Sequence, residues 1–255
     1  MISIIIITKQ EEKVLPRLLK SIKKQTYKDY EVIVSDAKSK DKTREIARSY
    51  GCKVVQGGLP SIGRNNGAKV ARGDILIFLD ADVELPKDFL KENVAEIKKR
   101  KIDIATTIYI PITDKYFDKL ILWLYNVWAR IMQYWLPYAG GVCIIVSKKV
   151  FNKVGGFDEK MLIAEDNAFV KSCLKYGKFR MLRSQPIYYD VRRLDKEGRI
   201  GLIIKYGYNG IYRLFFGDPY EAVFNYELQG GVVIQRGKKI EEQEFIKNNS
   251  IKKRK

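Results

Sequence analysis

The sequence predicts an α/β fold with a mostly parallel central sheet that is flanked by helices on both faces. Strand-like and helix-like segments alternate along the first part of the chain. The strand-like segments are continuously apolar, as is typical of parallel strands buried on both faces. In the segments between them, apolar residues recur at helical spacing. The chain has 255 residues, of which 46% are hydrophobic, so it is long enough to bury a substantial core.

The first part of the chain contains four predicted strands and three predicted helices. The first strand is a run of isoleucines, and the helix after it places Leu15, Leu18, Leu19 and Ile22 on one face. Gly51 ends the second helix, because glycine readily adopts the left-handed conformation there. The strands are predicted at Ile2–Ile7, Glu31–Ser35, Lys53–Gln56 and Ile75–Leu79, and the helices at Glu12–Lys24, Asp41–Tyr50 and Ile62–Val70.

The second part of the chain is less regular. Helices are predicted at Pro86–Lys99, Lys115–Trp135, Glu165–Tyr176 and Leu202–Phe216, and strands at Ile104–Ile110 and Val142–Val146. We expect one large domain over residues 1–217, made of two halves at about 1–82 and about 83–200. The domain includes amphipathic helices at about 115–136 and 202–216, and a basic tail follows at 218–255.

Composition excludes several classes of function. The sequence contains no histidine, which excludes Ser-His-Asp triads and histidine-ligated zinc. The three cysteines are far apart and form no CxxC pair, so we expect a reducing compartment rather than a disulfide framework. The apolar N-terminal run is short and has no basic residues before it, which favours a strand over a signal peptide. We therefore expect a cytoplasmic protein.

Polar and acidic residues follow three of the predicted strands. Thr8 and Glu11 come after the first strand, Asp36 after the second, and Asp80 and Asp82 after the fourth. In open α/β sheets, ligands bind beyond the carboxyl ends of the strands. A cluster of carboxylates is unexpected in a chain with a net charge of +18, unless it holds a cation. The Asp-Ala-Asp segment predicts a site for Mg²⁺ or Mn²⁺, which prefer oxygen ligands and often bridge phosphates.

A glycine-containing segment lies upstream of that acidic pair. The run from Gly63 to Ala68 includes Arg64, which places a guanidinium and small residues near the same edge of the sheet. This composition predicts close backbone approach to a nucleotide or its phosphates. The alternative is an ordinary helix start with a surface arginine. Neither GxGxxG nor GxxxxGK[ST] occurs, which disfavours dinucleotide oxidoreductases and P-loop enzymes.

Several motifs occur in an order that resembles a known family. They are SIIIITKQEE, YEVIVSDAKSKDKT, GRNNGAKVARGDILIFLDAD, and a Gly-Gly pair followed by FNKVGGFDEKMLIAED. Together, over roughly residues 2–200, they resemble the family 2 glycosyltransferases of the GT-A fold. The resemblance implies an inverting, metal-dependent transfer of a sugar from a nucleotide diphosphate sugar, such as a UDP- or GDP-sugar. The family includes polyprenyl-phosphate transferases.

The resemblance also implies roles for individual residues on the donor side. Thr8 and Glu11 match the first donor-binding loop, and Asp36 matches the aspartate that contacts the base. Asp80 and Asp82 match the DxD motif, with Asp82 expected to contact the metal directly. The family's usual Pro-Thr-Tyr-Asn-Glu is Ile-Thr-Lys-Gln-Glu here, and Ala-Lys follows Asp36 in place of small residues. These departures leave the nucleotide base open.

On the acceptor side, the resemblance identifies three further sites. Gly140 and Gly141 match the small-residue loop beside the acceptor. Glu165 and Asp166 match the ED motif, whose aspartate is usually the catalytic base. The segment Arg192-Arg193 resembles a basic pair near the diphosphate, although a solvated basic loop is the alternative. Since the chain lacks histidine, a carboxylate is the natural base, and we expect Asp166 to act as such at the start of a helix.

The segment Leu120–Tyr138 is the longest apolar stretch and carries one formal charge, Arg130. The charge would fall near the middle of a bilayer, which disfavours a membrane span. Helical spacing puts Lys119, Asn126, Arg130 and Gln133 on one stripe opposite a wide apolar face. That face is expected to rest on an anionic membrane, which would suit a lipid-linked acceptor. Packing against the sheet or in a dimer remains the alternative.

Other classes of function compete with the glycosyltransferase hypothesis. A net charge of +18 would attract nucleic acid nonspecifically, but no nucleic-acid-binding motif occurs and the acidic strand ends oppose such a ligand. We therefore expect no specific nucleic-acid partner. A sugar nucleotidyltransferase would carry a glycine-rich loop after the first strand, and this chain has none there. A non-catalytic scaffold would not need Asp80, Asp82 and Asp166.

Overall fold

A computed structural model of the protein describes residues 1–135, 137–161 and 163–192, a few single positions between 195 and 208, and two short strands near the C-terminus. The chain forms two compact units. The first unit comprises Met1–Phe157 and Asp166–Val191, and the second comprises Asp158–Glu165 and Arg192–Lys255. No helix among the described residues is long and apolar enough to cross a membrane.

The first unit is built from ten strands and most of the helices. Its first half contains β1 Ile2–Thr8, α1 Leu15–Lys23, β2 Tyr30–Asp36, α2 Thr43–Ser49, β3 Lys53–Gln56, α3 Pro60–Lys69, β4 Ile75–Asp80, β5 Val83–Glu84 and α4 Phe89–Arg100. It continues with β6 Ile104–Thr106, β7 Tyr109–Ile112, α5 Tyr116–Met132, β8 Cys143–Ser147, α6 Lys148–Val154, α7 Glu165–Cys173, β9 Phe179–Met181 and β10 Ile187–Asp190. Glu165, the first residue of α7, is assigned to the second unit.

The central sheet has seven strands in the order β3-β2-β1-β4-β8-β6-β9. The strands from β3 to β4 are parallel, and β8 runs antiparallel to both of its neighbours. The register pairs Thr8 with Asp36 and Ile7 with Asp80, so the carboxyl ends of β1, β2 and β4 meet at one edge. This arrangement confirms the predicted α/β fold, with a mostly parallel sheet.

Helices cover both faces of the sheet because successive residues of a strand point to opposite sides. In β1, Ile4 and Ile6 join a buried cluster with α1 and α4, whereas Ile5 joins a second cluster with residues of α3, α6 and α7. Gly67 of α3 packs directly on Ile5, where a β-carbon would collide with the isoleucine side chain. The isoleucine run is therefore buried on both sides, as its composition predicts.

The structure differs from the predicted secondary structure in several places; for example, the helix predicted at Pro86–Lys99 begins only at Phe89. The strand predicted at Ile104–Ile110 is divided into β6 and β7, which belong to different sheets. The division falls where Thr106 and Thr107 donate side-chain hydrogen bonds to the carbonyls of Cys143 and Gln185, respectively. The short elements β5, α6, β9 and β10 were not predicted, and β5, β7 and β10 form a small second sheet. The predicted helix 12–24 begins only at Leu15.

In the second unit, Tyr226–Leu228 (β11) pairs antiparallel with Val232–Ile234 (β12). Both strands fall within residues 218–255, which the sequence predicts as a basic tail. Most of the predicted helix at Leu202–Phe216 lies outside the described residues, so that prediction stays open.

Helix α5 is oriented with its apolar face outward. Asn126 and Gln133 point toward the body of the first unit, and Lys119 and Arg130 are exposed. The predicted polar stripe is therefore split, since two of its four residues are turned inward. Large apolar side chains such as Trp123, Leu124 and Ile131 are exposed, whereas Leu122 and Tyr125 pack against the core of the first unit.

Candidate functional site

Asp36 lies at the end of β2 and is held from several directions. Thr8 donates a 3.1 Å hydrogen bond from its hydroxyl to Asp36 Oδ2, and the Ser39 main-chain N–H donates to Oδ1 at 2.9 Å. The Ser39 hydroxyl also donates to Oδ2, and Arg44 Nε lies 3.5 Å from Oδ1. The Asp36 side chain is only 1% exposed. Thr8 and Asp36, both predicted site residues, are thus joined at the same edge of the sheet.

The loop after β1 is fastened to the loop after β2. The main-chain N–H of Gln10 donates to the Ser39 hydroxyl, and that of Glu11 to the Thr43 hydroxyl, both at 2.8 Å. Glu11 is buried by this contact between loops. Gln10 has a φ of 56°, in the left-handed region that a non-glycine residue adopts only when neighbouring contacts hold it there. The two loops therefore form one preorganised edge beside Asp36.

Asp41 organises the same edge through both of its carboxylate oxygens. Its Oδ1 accepts from the main-chain N–H and the hydroxyl of Thr43, and its Oδ2 accepts from the main-chain N–H of Glu12 at 3.1 Å. Burial acts to raise the pKa of Asp41, but these hydrogen bonds outweigh it and hold the pKa below its usual value. The charged form is therefore favoured in the folded state.

We expect Asp41→Asn to lower the free energy of unfolding by about 1 kcal/mol at pH 7, because the amide NH₂ would face an N–H donor. A carboxyl group whose pKa is depressed by folding stabilises the fold above its unfolded pKa and loses that effect as the pH falls through its folded pKa. The difference from wild type should therefore shrink between about pH 5 and pH 2. Urea midpoints across this range measure it. The exposed Asp114→Asn is the control, and a pH-independent difference would contradict the account.

Asp80 is the last residue of β4 and Asp82 lies two positions beyond it, and the two differ in their surroundings. Asp80 Oδ1 lies 3.7 Å from Arg64 Nη2, and the Asp80 side chain is 22% exposed. Asp82 is buried, and its main-chain carbonyl accepts from Arg17 Nη2 and from the Asp190 N–H, both at 3.1 Å. Arg17 Nη2 also forms a 2.8 Å ion pair with Asp190. Arg17 and Asp190 fix the backbone of the acidic pair, and sequence reasoning missed both.

Arg64 connects the acidic pair to the loop before β8. It lies on α3, and its side chain is 3% exposed. Its Nη2 donates to the Gly141 carbonyl at 3.4 Å, and its guanidinium carbon stands 5.3 Å from the centre of the Phe157 ring. A buried guanidinium between a carboxylate, a carbonyl and an aromatic face is fixed in position. Arg64 is therefore part of the site rather than the surface arginine that the sequence left as an alternative.

Asp166 lies beside the same glycine as Arg64. A β-carbon on Gly141 would lie 2.6 Å from Arg64 Nη2 and 3.4 Å from Asp166 Oδ2, so both groups border the same glycine. Asp166 Oδ1 accepts from the main-chain N–H of Asn167 at 2.7 Å and from its side-chain NH₂ at 2.9 Å. These bonds turn Oδ2 toward Gly141. We refer to Arg64, Asp80, Gly141 and Asp166 as the central cluster.

Tyr109 is a further buried residue of the site. Its hydroxyl donates to the Gly140 carbonyl at 3.2 Å and lies 2.9 Å from the Thr106 hydroxyl. Burial, followed by the electrostatic influence of Cys143, raises the pKa of Tyr109 well above its usual value, and Asp166 adds to this effect. The tyrosine therefore stays neutral and holds the Gly140 carbonyl in place. No periodicity or motif in the sequence indicates this role.

Asn65 supports the central cluster from the other side of α3. Its side-chain NH₂ donates to the Phe157 carbonyl at 2.8 Å, and its Oδ1 accepts from the Phe157 N–H at 2.9 Å. This paired contact positions the aromatic ring beneath Arg64. Asn65 belongs to the GRNNGAK segment that the sequence analysis quotes, but nothing in the sequence indicates that it binds Phe157.

The other predicted site residues lie outside the first unit or outside the described residues. Glu165 and Arg192 belong to the second unit, and Arg193 lies outside the described residues. Their assigned roles stay predictions. Within the part of the chain that the structure describes, no three acidic or thiol side chains come close enough to form a metal site by themselves.

Comparison with known proteins identifies the family. The model of glycosyl transferase family 2 matches residues 3–155. The chain belongs to this family. The 4,4′-diaponeurosporenoate glycosyltransferase of Staphylococcus haemolyticus is 42% identical over 109 residues, which are 39% of this chain and 29% of that protein. The amylovoran biosynthesis glycosyltransferase AmsB of Erwinia amylovora is 34% identical over 209 residues, covering 74% of this chain and 69% of that protein.

Solved structures confirm the GT-A fold of this member of the family. Staphylococcus aureus TarS, residues 1–349 in complex with UDP-GlcNAc, has a TM-score of 0.62 at 23% identity, covering 74% of this chain and 58% of that one. The Pyrobaculum calidifontis mannosyltransferase PcManGT, in complex with GDP-Man and Mn²⁺, has a TM-score of 0.59 at 18% identity, covering 73% and 56%. The chain spans less than a third of the length of the curated relatives that match first.

Proposed function

We propose that this family 2 glycosyltransferase moves a sugar from a UDP- or GDP-sugar to a hydroxyl or phosphate group of a saccharide or polyprenyl-phosphate acceptor, with inversion at the anomeric carbon. The observation that carries the proposal is the central cluster, in which the Arg64 guanidinium and the Asp166 carboxylate border Gly141, and Arg64 also lies 3.7 Å from the Asp80 carboxylate. The similarity to TarS and PcManGT, whose structures hold UDP-GlcNAc and GDP-Man, supports a nucleotide-sugar donor.

The donor's nucleoside would bind at the edge formed by Thr8, Glu11 and Asp36. The two loops of this edge are fastened together before any ligand arrives, so little ordering would accompany binding. Asp36 accepts hydrogen bonds from its own neighbours, which fixes the carboxylate that would meet the base. Arg64 of α3, which lies beside Asp80 at the end of β4, would face the diphosphate and stabilise its charge.

The residues after β4 fit a hard divalent cation. Their donor set is made of oxygen atoms, and the Asp80 carboxylate is partly exposed at the sheet edge. Mg²⁺ and Mn²⁺ are commonly held by one or two carboxylates together with water and substrate phosphates, so a third acidic ligand is not required. Asp80 and Asp82 would hold the ion, which would supply positive charge for the departing diphosphate. PcManGT, with its Mn²⁺, supports this reading.

The acceptor would be activated by Asp166. Asp166 Oδ2 would take the proton of the acceptor hydroxyl. The acceptor's hydroxyl oxygen would at the same time form a bond to the anomeric carbon, from the side opposite the diphosphate. The bond from the anomeric carbon to the diphosphate breaks, and its electron pair leaves with the nucleoside diphosphate. Asn167 holds Asp166 by its other oxygen, so the accepting atom stays aimed at Gly141. Glu165, Arg192 and Arg193 would assist at the ED motif and at the diphosphate.

A thermal-shift screen with UDP-, GDP- and dTDP-sugars, with and without Mn²⁺, tests the proposed donor. A ligand at a hundred times its Kd stabilises the folded state by about 2.7 kcal/mol, which corresponds to a Tm rise of about 5–10 °C for a chain of this size. We expect one nucleotide class to give this rise with Mn²⁺, and Asp80→Asn to reduce it. The exposed Asp114→Asn is the control.

Two rival functions would give different results. If no nucleotide sugar raised the Tm with or without Mn²⁺, while DNA bound with a steep dependence on salt, the chain would be a nucleic-acid-binding protein. Release of pyrophosphate from a nucleoside triphosphate and a sugar phosphate would identify a sugar nucleotidyltransferase. Either result would overturn the proposed function.

A further inference from the structure

The outward surface of α5 is apolar and exposed. Six residues define this outer α5 face: Phe117, Trp123, Leu124, Val127, Ile131 and Trp135. Trp123 is 59% exposed and Leu124 is 52% exposed, so the face presents large side chains to its surroundings. Lone exposed apolar residues are ordinary, but a patch of large apolar side chains along most of one helix, extended by Trp135 just beyond its end, marks an interaction surface.

Polar contacts on the inner side prevent the helix from turning this face inward. Asn126 donates to the Tyr109 carbonyl at 2.8 Å and accepts from the Tyr109 N–H at 3.0 Å. Gln133 Oε1 accepts from the Met181 N–H at 3.0 Å, and the buried Asp118 accepts from the Thr113 hydroxyl. Rolling α5 would break these bonds and leave buried polar groups unsatisfied. The outward direction of the apolar face is therefore built into the fold.

We propose that the outer α5 face binds the surface of an anionic phospholipid bilayer. Three tryptophan and tyrosine rings are exposed near its C-terminal end, and such rings favour the boundary between headgroups and acyl chains. The exposed Lys119 and Arg130 flank the face, and Arg180 stands over the Tyr134 ring at 4.8 Å. The net charge of +18 favours an anionic surface and opposes contact with a second copy of the same chain.

An aromatic path leads from Trp128, which neighbours this face on α5, to Gly140, the residue before Gly141 of the central cluster. The Trp128 ring packs edge-on against Tyr138 at 5.8 Å, and Tyr138 packs against Tyr125 at 6.1 Å. Tyr125 stacks on Tyr109 at 5.7 Å, and Tyr109 holds the Gly140 carbonyl. A bilayer on the outer α5 face would therefore bring lipid headgroups near the acceptor loop. This last step, which favours a lipid-linked acceptor, rests on the proposed function, whereas bilayer binding does not.

Co-sedimentation with vesicles of phosphatidylglycerol and phosphatidylcholine tests the inference, with phosphatidylcholine vesicles alone as the reference. At about 0.15 M salt we expect wild type to bind the anionic vesicles, and Trp123→Ser/Leu124→Ser to bind them at least about tenfold more weakly. Both substitutions keep the charge, so the loss would report apolar insertion. Both positions are exposed, so the fold and the response to nucleotide sugars should be unchanged.

A matched control and two contrary outcomes make the test decisive. Leu174→Ser removes an exposed apolar side chain outside the outer α5 face and should bind vesicles like wild type. Equal binding by wild type and the double variant would overturn the inference, because charge alone would then explain the attraction. A wild-type dimer that the double variant converts to a monomer would assign the face to a second copy. Failure of every nucleotide sugar to bind would refute the proposed function and leave the vesicle result intact.

Discussion

Asp166→Asn is expected to lower kcat by about 10²–10⁴-fold, the usual contribution of a general base. The amide keeps the shape of the side chain, and its oxygen can still accept the hydrogen bonds from Asn167. Its NH₂ would then face Gly141, where the carboxylate oxygen lies in wild type, and it cannot take a proton from the acceptor. Since Asp166 is proposed to act on the acceptor and not on the donor, donor binding should change by less than about threefold.

Single-turnover rates with a radiolabelled donor, together with thermal shifts by that donor, separate the two effects. Asp74→Asn is the matched control, because Asp74 precedes β4 at the opposite end of the strand and its side chain is 89% exposed. We expect this control to keep the wild-type rate. Retention of near wild-type turnover by Asp166→Asn, with the donor bound normally, would exclude Asp166 as the base and direct attention to Glu165.

The sheet could be predicted because its strands are continuously apolar, and such strands are buried on both faces. A run of isoleucines such as that in β1 can be satisfied only when both of its sides are covered, and this condition implies helices on both faces. The carboxyl ends of parallel strands share one edge, so Thr8, Asp36 and Asp80 could be brought together from the sequence alone. The register, which pairs Thr8 with Asp36 and Ile7 with Asp80, confirms that reasoning.

The contacts that hold the site could not be predicted, since they join residues far apart in the chain. Arg17 and Asp190 are 173 positions apart, and Asn65 and Phe157 are 92 apart. No periodicity links such pairs, and each polar residue alone is compatible with a solvated surface. Tyr109 illustrates the same limit, because the sequence places it within a predicted strand and gives no sign that its hydroxyl holds the acceptor loop.

Helix α5 shows a different limit of sequence patterns. Helical spacing correctly identified a wide apolar face, but an amphipathic pattern alone does not say which face turns toward the protein. In most helices of water-soluble proteins the apolar face does so. Here Asn126 and Gln133 make inward hydrogen bonds, and large apolar side chains such as Trp123 are left outside. The sequence predicted an exposed face on a membrane and kept packing as the alternative, and only the structure shows which side chains are exposed.

Gly141→Ala is expected to lower kcat/KM by about 100-fold, the effect of displacing a reacting group by about 1 Å. The added methyl group would lie 2.6 Å from Arg64 Nη2, and the buried guanidinium would have to move away from Asp80. The same methyl group would touch Asp166 Oδ2 at 3.4 Å. One small substitution therefore disturbs the diphosphate side and the acceptor side of the central cluster together.

The neighbouring glycine provides a matched control for this prediction. A β-carbon on Gly140 meets only the Tyr109 ring and hydroxyl, at 3.6 Å or more, which is ordinary van der Waals contact. Gly140→Ala should therefore stay within about threefold of wild type in kcat/KM. Circular dichroism and the Tm would confirm that both variants fold. Because the two substitutions differ only in what the methyl group touches, equal loss in both would mean that the loop tolerates no side chain. Equal activity would mean that Arg64 and Asp166 do not act together at Gly141.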